Sequence, residues 1–127
     1  MTATVVAAAV VERDGRFLLT RRQKGTHLEG LWEFPGGKCE RGESLGACLA
    51  RELREELAVD VQVGAELCAV AHDYADRRLE LHFFASVISG EPTPQIGQEM
   101  RWVERGELST LDFPPADAEL IRLLAGT

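Results

Sequence analysis

Long apolar stretches are missing from this sequence. Its most hydrophobic segment, MTATVVAAAVV at the start, is well below the about 18 residues that span a bilayer, and with no charge at its head it does not read as a signal peptide. Cysteine is scarce and odd in number: Cys39, Cys48 and Cys68, with no CxxC among them. Without a pairing pattern they read as reduced thiols of a cytoplasmic protein, with Cys48 packed on a helix. The histidines, His27, His72 and His82, lack HxH or HxxxH spacing. They read as structural or surface groups, with His27 kept as a candidate contact to a substrate base. Positive charge is in deficit: 14 Lys and Arg face 21 Asp and Glu, a net charge of −7. That balance argues against nonspecific binding to nucleic acid or an anionic membrane. Repeats, linkers and low-complexity segments are absent too. What is present is an ordinary globular composition, 45% hydrophobic and 28% charged over 127 residues, which predicts one domain over 1–127 with a single core.

Residues 5–11 form a run of small and β-branched side chains and predict a buried strand. Asp14-Gly15 signals a hairpin, with 16–20 as the returning strand. A polar loop over 23–30 leads to a short strand over 31–35 and the pair Gly36-Gly37. Ser44 is a good N-cap for a helix over 45–57, where Leu45, Leu49, Leu53 and Leu57 make one apolar stripe. A strand follows within 60–70, then a turn or loop over 72–78. The alternation from Leu79 to Val87 predicts a strand with its odd-numbered residues inward. Residues 89–97 form a loop, 101–103 a short strand, and 112–117 lead into a last helix ending near Leu124. Proline and an acid in the first turn are ordinary helix-start features, a sufficient account of Asp117 taken alone.

The helix over 45–57 carries the chemistry. Glu52, Glu55 and Glu56 lie within five consecutive residues. At about 100° per residue, Glu52 and Glu56 share a face and Glu55 sits beside them. Like charges so placed repel by roughly 0.2–0.5 kcal/mol per exposed pair. A divalent cation turns repulsion into attraction, and oxygen-only ligands suit Mg²⁺ or Mn²⁺. The simpler account is a solvated acidic face whose partners are Arg51 and Arg54. It leaves a wider spacing unexplained: Gly37, Glu43 after five intervening residues, Arg51-Glu52 after seven more, then Glu55-Glu56. This array resembles the Nudix box, G-x5-E-x7-R-E-U-x-E-E-x-G-U, with Leu53 and Val59 at the bulky aliphatic positions. Ala58 stands where that pattern has glycine. A glycine there sits just past the helix end, where φ > 0 is often required, and alanine in that conformation costs about 1 kcal/mol. The expectation is a helix one residue longer, or a different cap.

The resemblance extends through W-E-F-P-G-G-K, residues 32–38, which is similar to MutT-type members, and it covers nearly the whole chain. It implies an α/β fold, an α/β/α sandwich around a mixed sheet. It also implies metal-dependent hydrolysis of a nucleoside triphosphate to monophosphate and pyrophosphate, foremost of oxidised purine nucleotides such as 8-oxo-dGTP. The implied metal ligands are the Gly37 carbonyl, Glu52, Glu55, Glu56 and Glu99, holding Mg²⁺ or Mn²⁺. One of these carboxylates, or Glu43, acts as general base, and Arg51 orients a glutamate. Arg22 and Lys38 are candidate phosphate contacts, against a solvated surface as the plain alternative. Phe34, His27 and Asp117 are candidate contacts to the nucleoside. In relatives the position of Asp117 is an asparagine that reads 8-oxoguanine; ionised aspartate only accepts hydrogen bonds, which leaves the base open. Alternatives are a CTP or 5-methyl-dCTP pyrophosphatase, a hydrolase of ADP-ribose or dinucleoside polyphosphates, and a noncatalytic nucleotide-sensing module. The partner implied is a small nucleotide, with no nucleic acid and no membrane, for a monomer or homodimer.

Overall fold

The computed structural model describes residues 2–126. In chain order it forms β1 (Thr2–Arg13), β2 (Arg16–Arg21), β3 (Trp32–Glu33), β4 (Gly36–Lys38), α1 (Leu45–Leu57), β5 (Asp60–Asp73), β6 (Arg77–Ser89), β7 (Met100–Glu104) and α2 (Ala118–Ala125). Short 3₁₀ turns, Arg105–Thr110 and Pro115–Asp117, lead into α2. The strands run in the order β3-β2-β1-β6-β5, with β4 also on β1 and β7 also on β2. Among the described residues only β1 and β6 pair in parallel, so the sheet is mixed.

The β1–β2 hairpin turns at Asp14 and Gly15, both at positive φ (53° and 76°), as a tight turn matched to strand twist requires. β1 is central, and its continuous apolar run reflects burial on both faces. Ala7, Ala9 and Val11 pack with Leu49, Leu53 and Leu57 of α1. Ala8 and Val10 pack with Leu120 and Leu124 of α2 on the other side. One helix on each face makes the expected sandwich.

β6 differs from the expectation at its end. Leu81 and Phe83 are buried as predicted, but Val87 is 66% exposed while Ser86 and Ile88 are buried. The strand lies between β1 and β5, and both its faces are covered. Phe84 and Ile88 face the α1 side, and the odd-numbered face runs past the cover of α2 at Val87. The predicted turn over 72–78 also shrinks, because β5 runs on to Asp73 and β6 begins at Arg77.

α1 spans the residues predicted for it. Ser44 Oγ accepts from Ala47 N at 3.1 Å. At the far end Ala58 adopts the left-handed conformation (φ 56°, ψ 38°), and its N–H reaches Arg54 O. The helix is not extended, so alanine carries the strain that glycine avoids. The loop after β6 then covers the last helical carbonyls: Thr93 N donates to Leu57 O, and Gln95 N and Gln98 Nε2 donate to Glu56 O.

The cysteine expectation is corrected. Cys39, just after β4, and Cys48, in α1, form a disulfide with Cα atoms 5.1 Å apart, and Cys68 alone is free. A separation of nine residues carries no pairing signature; the packing of β4 on α1 brings the two sulfurs together. No helix among the described residues is long and apolar enough to cross a membrane.

Candidate active site

β4 is threaded between β1 and α1, and its glycines make that possible. It pairs with β1 through Gly36 opposite Ala8 and Gly37 opposite Ala7. A Cβ on Gly36 would run into the Ala7 carbonyl and lie 2.7 Å from Ala8 Cα. A Cβ on Gly37 would occupy the space of the Glu52 carboxylate. The Gly37 backbone and Glu52 are therefore immediate neighbours.

Arg51 fixes this neighbourhood. Its guanidinium takes Glu43 in a fork, Nε to Oε2 at 2.7 Å and Nη2 to Oε1 at 2.9 Å. Nη1 donates to Glu52 at 2.9 Å and to Glu55 at 3.3 Å, while Nη2 also reaches Lys38 O at 3.0 Å. One planar group thus ties the loop before the helix, the strand β4 and the acidic row into a unit. The hydrogen bonds from Arg51, with one from Glu40 N, hold the Glu43 carboxyl down at about 2. Glu43 and Arg51 are therefore ionised throughout the neutral range.

Glu56 is different. Burial, then the charges of Glu33 and Glu52, push its carboxyl up to about 8, against the opposing Gly36 N–H and Arg22. Burial also raises Glu33, although Arg22 Nη1 donates to it at 3.1 Å. Asp117, 3% exposed, is pushed up to about 7 by burial and by Glu33. It makes no side-chain cap bond to α2, so helix capping does not account for it. These acids line one cavity of about 450 Å³ together with Gly37, Lys38 and Glu52. Phe34 and Phe83 line it as well, and Phe34 meets the Phe83 ring edge-on and stacks on Phe113. A second depression, about 370 Å³, has Glu12 as its one ionisable lining residue, and that side chain is paired with Arg105.

Most predicted residues converge on the larger cavity: Arg22, His27, Phe34, Gly37, Lys38, Glu52, Glu56 and Asp117 line it. Glu43 and Arg51 stand behind it, and Glu55 is largely exposed, touching Arg51. Glu99 lies apart, in an ion pair with Arg21 at 3.2 Å. Arg22 is engaged by Glu33 and by the His27 carbonyl. Sequence reasoning missed Glu33, Tyr74 and Arg77 as lining residues. Glu33 had a signal, an acid between the buried Trp32 and Phe34; Tyr74 and Arg77 had none.

The donor set fits a hard divalent ion. It offers oxygen alone, from the Gly37 carbonyl and the Glu52 and Glu56 carboxylates, and Glu56 is raised first by burial and then by the neighbouring charges of Glu33 and Glu52. Among the described residues no three His, Cys, Asp or Glu side chains already converge as a cage; Glu52 and Glu55 are held by Arg51.

A sequence family described as NUDIX domain matches residues 6–123. The CTP pyrophosphohydrolase of Escherichia coli (strain K12) is 36% identical over 91% of this chain and 87% of its own length. The 8-oxo-dGTP diphosphatase of Haemophilus influenzae is 38% identical over 94% of this chain and 89% of its own. Among solved structures, the E. coli ORF135 protein superposes with a TM-score of 0.84 at 36% identity, covering 98% of this chain and 87% of that one. The MutT protein of Methanosarcina mazei shares the fold, with a TM-score of 0.86 at 22% identity, covering 97% and 93%.

Proposed function

This chain belongs to the NUDIX domain family, and from that premise we propose that it hydrolyses a nucleoside triphosphate to the monophosphate and pyrophosphate. The foremost substrate class is oxidised purine nucleotides such as 8-oxo-dGTP, the activity named for the Haemophilus relative. The observation that carries this reading is the acidic row of α1, braced by Arg51 against Gly37 in the lining of a nucleotide-sized cavity.

The Gly37 carbonyl, Glu52, Glu55 and Glu56 would hold Mg²⁺ or Mn²⁺. When bound, such an ion neutralises phosphate charge and lowers the pKa of attacking water. The chain's own groups do the rest. Glu43 is a positioning residue: with both oxygens on Arg51 and its carboxyl held at about 2, it is a poor proton acceptor. Arg51 in turn fixes the rotamer of Glu52. Glu55 and Glu56 remain as acceptors for the proton of water. Lys38 and Arg22, the latter braced by Glu33, both line the cavity and are the candidate contacts for the phosphate chain. The aromatic rings of Phe34 and Phe83 take the base, with Asp117 as its hydrogen-bonding partner.

With its carboxyl at about 7, Asp117 exists in both protonation states near neutrality, so it is able both to donate and to accept. That restores the two-way capacity of an amide and supports oxidised guanine. The same acid as an acceptor suits the exocyclic amine of cytosine, the second reading, in line with the name of the E. coli relative. The test is pyrophosphate release with Mg²⁺ on a panel of 8-oxo-dGTP, CTP, 5-methyl-dCTP, ADP-ribose and a dinucleoside polyphosphate. The expected result is fastest turnover of 8-oxo-dGTP. Faster turnover of the pyrimidine nucleotides moves the assignment to them, and binding without release on every nucleotide would leave only a sensing module. A nucleotide-pool role fits a cytoplasmic protein.

A further inference from the structure

We propose that Cys39 and Cys48 form a reversible thiol–disulfide site that sets the stiffness of the loop carrying Glu43. The bond joins the end of β4, two residues beyond Gly37, to α1 one turn before Glu52. It closes a ring around the loop that holds Glu40, Glu43 and the N-cap Ser44. Glu43 is the side chain that grips Arg51, and Arg51 places Glu52. Cutting the bond leaves the loop held by that ionic fan, the Ser44 cap, the reciprocal bonds of Glu43 N to Glu40 O and Glu40 N to Glu43 Oε1, and Cys39 N on Val5 O.

The geometry suits exchange with a small molecule. Cys39 is half-buried at the edge of the core under α1, whereas Cys48 is fully buried, its sulfur 3.7 Å from Gly37 O. The co-reactant is a low-molecular-weight disulfide. The outer Cys39 thiolate attacks one of its sulfurs and one small thiolate leaves with the electron pair. The Cys48 thiolate then attacks Cys39 sulfur in the mixed disulfide, and the second small thiolate leaves. The protein gives up two protons and two electrons, and the small disulfide becomes two thiols. Cys68, the remaining cysteine, lies on β5 outside this pair. Disulfides of cytosolic proteins are usually transient and sensing rather than permanent, which fits a pair placed at the base of a catalytic loop.

The bond and the loop stiffness stand independently of the hydrolase reading; only a consequence for turnover rests on it. The whole protein is equilibrated in buffers of reduced and oxidised glutathione, quenched by alkylation and weighed intact, and amide exchange is followed over residues 40–48. The expected result is reversible loss of two alkylatable thiols with oxidation, and exchange in that segment at least ~10-fold faster in the reduced form. Metal half-saturation, followed with Mn²⁺ alone, rises several-fold on reduction. Cys39→Ala, which spares the buried Cys48, keeps its thiols alkylatable at every glutathione ratio and exchanges at the reduced rate. Three alkylatable thiols in wild type at every ratio, a bond that never reduces, or equal exchange in both forms would overturn the proposal. Failure of every nucleotide on the panel, with the redox-dependent exchange intact, removes the hydrolase reading and leaves this one standing.

Discussion

Single residues carry the sharpest consequences. Glu55 is exposed, so Glu55→Gln keeps the fold; steady-state kinetics are expected to show turnover at least ~100-fold lower, and wild-type turnover would contradict its role. Asp117 makes stability depend on pH. Its carboxyl moves from 3.8 when unfolded to about 7 when folded. Between those values the folded state binds more protons than the unfolded state, so stability falls as pH rises from about 4 to 7 and the loss is complete above that. Glu56, raised to about 8, acts in the same direction over a slightly higher window. Glu43, lowered to about 2, acts oppositely: its contribution is present above 4.5 and lost as pH falls toward 2. Metal-free protein should thus melt highest near pH 4–5, and Asp117→Asn should flatten the decline toward neutral pH in melting curves. Ala58→Gly relieves left-handed strain of about 1–2 kcal/mol and gains unfolded-chain freedom costing about 0.4–1 kcal/mol, so denaturant titration should show a modest net stabilisation.

At the scale of elements, the site is a strand pressed against a helix. β4 contributes only backbone, because Gly36 meets the backbone of β1 and Gly37 meets the side chain of Glu52. Backbone cannot step aside, whereas a glutamate side chain rotates. Gly36→Ala should therefore lower the melting temperature more than Gly37→Ala. Gly37→Ala should instead weaken Mn²⁺ binding, read by titration; the reverse order would contradict this packing. Much of this pairing was legible. The leucine period announced α1 and its buried face, and the spacing from Gly37 to Glu56 marked side chains that the fold brings next to one another around Arg51. The disulfide was not legible, since nothing local distinguishes Cys39 from a free thiol before β4 docks on α1. Nor was the exposure of Val87, because alternation in β6 does not report where the cover of α2 ends.

For the whole molecule, a net charge of −7 and a polyanionic substrate repel each other. Cations must stand between them, so a chelator should abolish pyrophosphate release and added Mg²⁺ or Mn²⁺ restore it. Release that persists in chelator would remove the metal from the mechanism. The fold serves this end by stacking one helix on each face of a mixed sheet, which leaves β4, the end of β3 and the start of α2 around one opening. The chain's order of residues alone settled the helix, the hairpin, the central strand and the acidic row, since these follow from periods of 3.6 and 2 and from fixed local spacing. Folding in three dimensions decided the rest. It gathered Glu33, Tyr74, Arg77 and Asp117, 84 positions apart at the extremes, around one cavity and raised three of its acids, Glu33, Glu56 and Asp117, by burial. It sent Glu99 to Arg21 instead. Desolvation and long-range pairing depend on what the sheet brings together, and no local pattern encodes them.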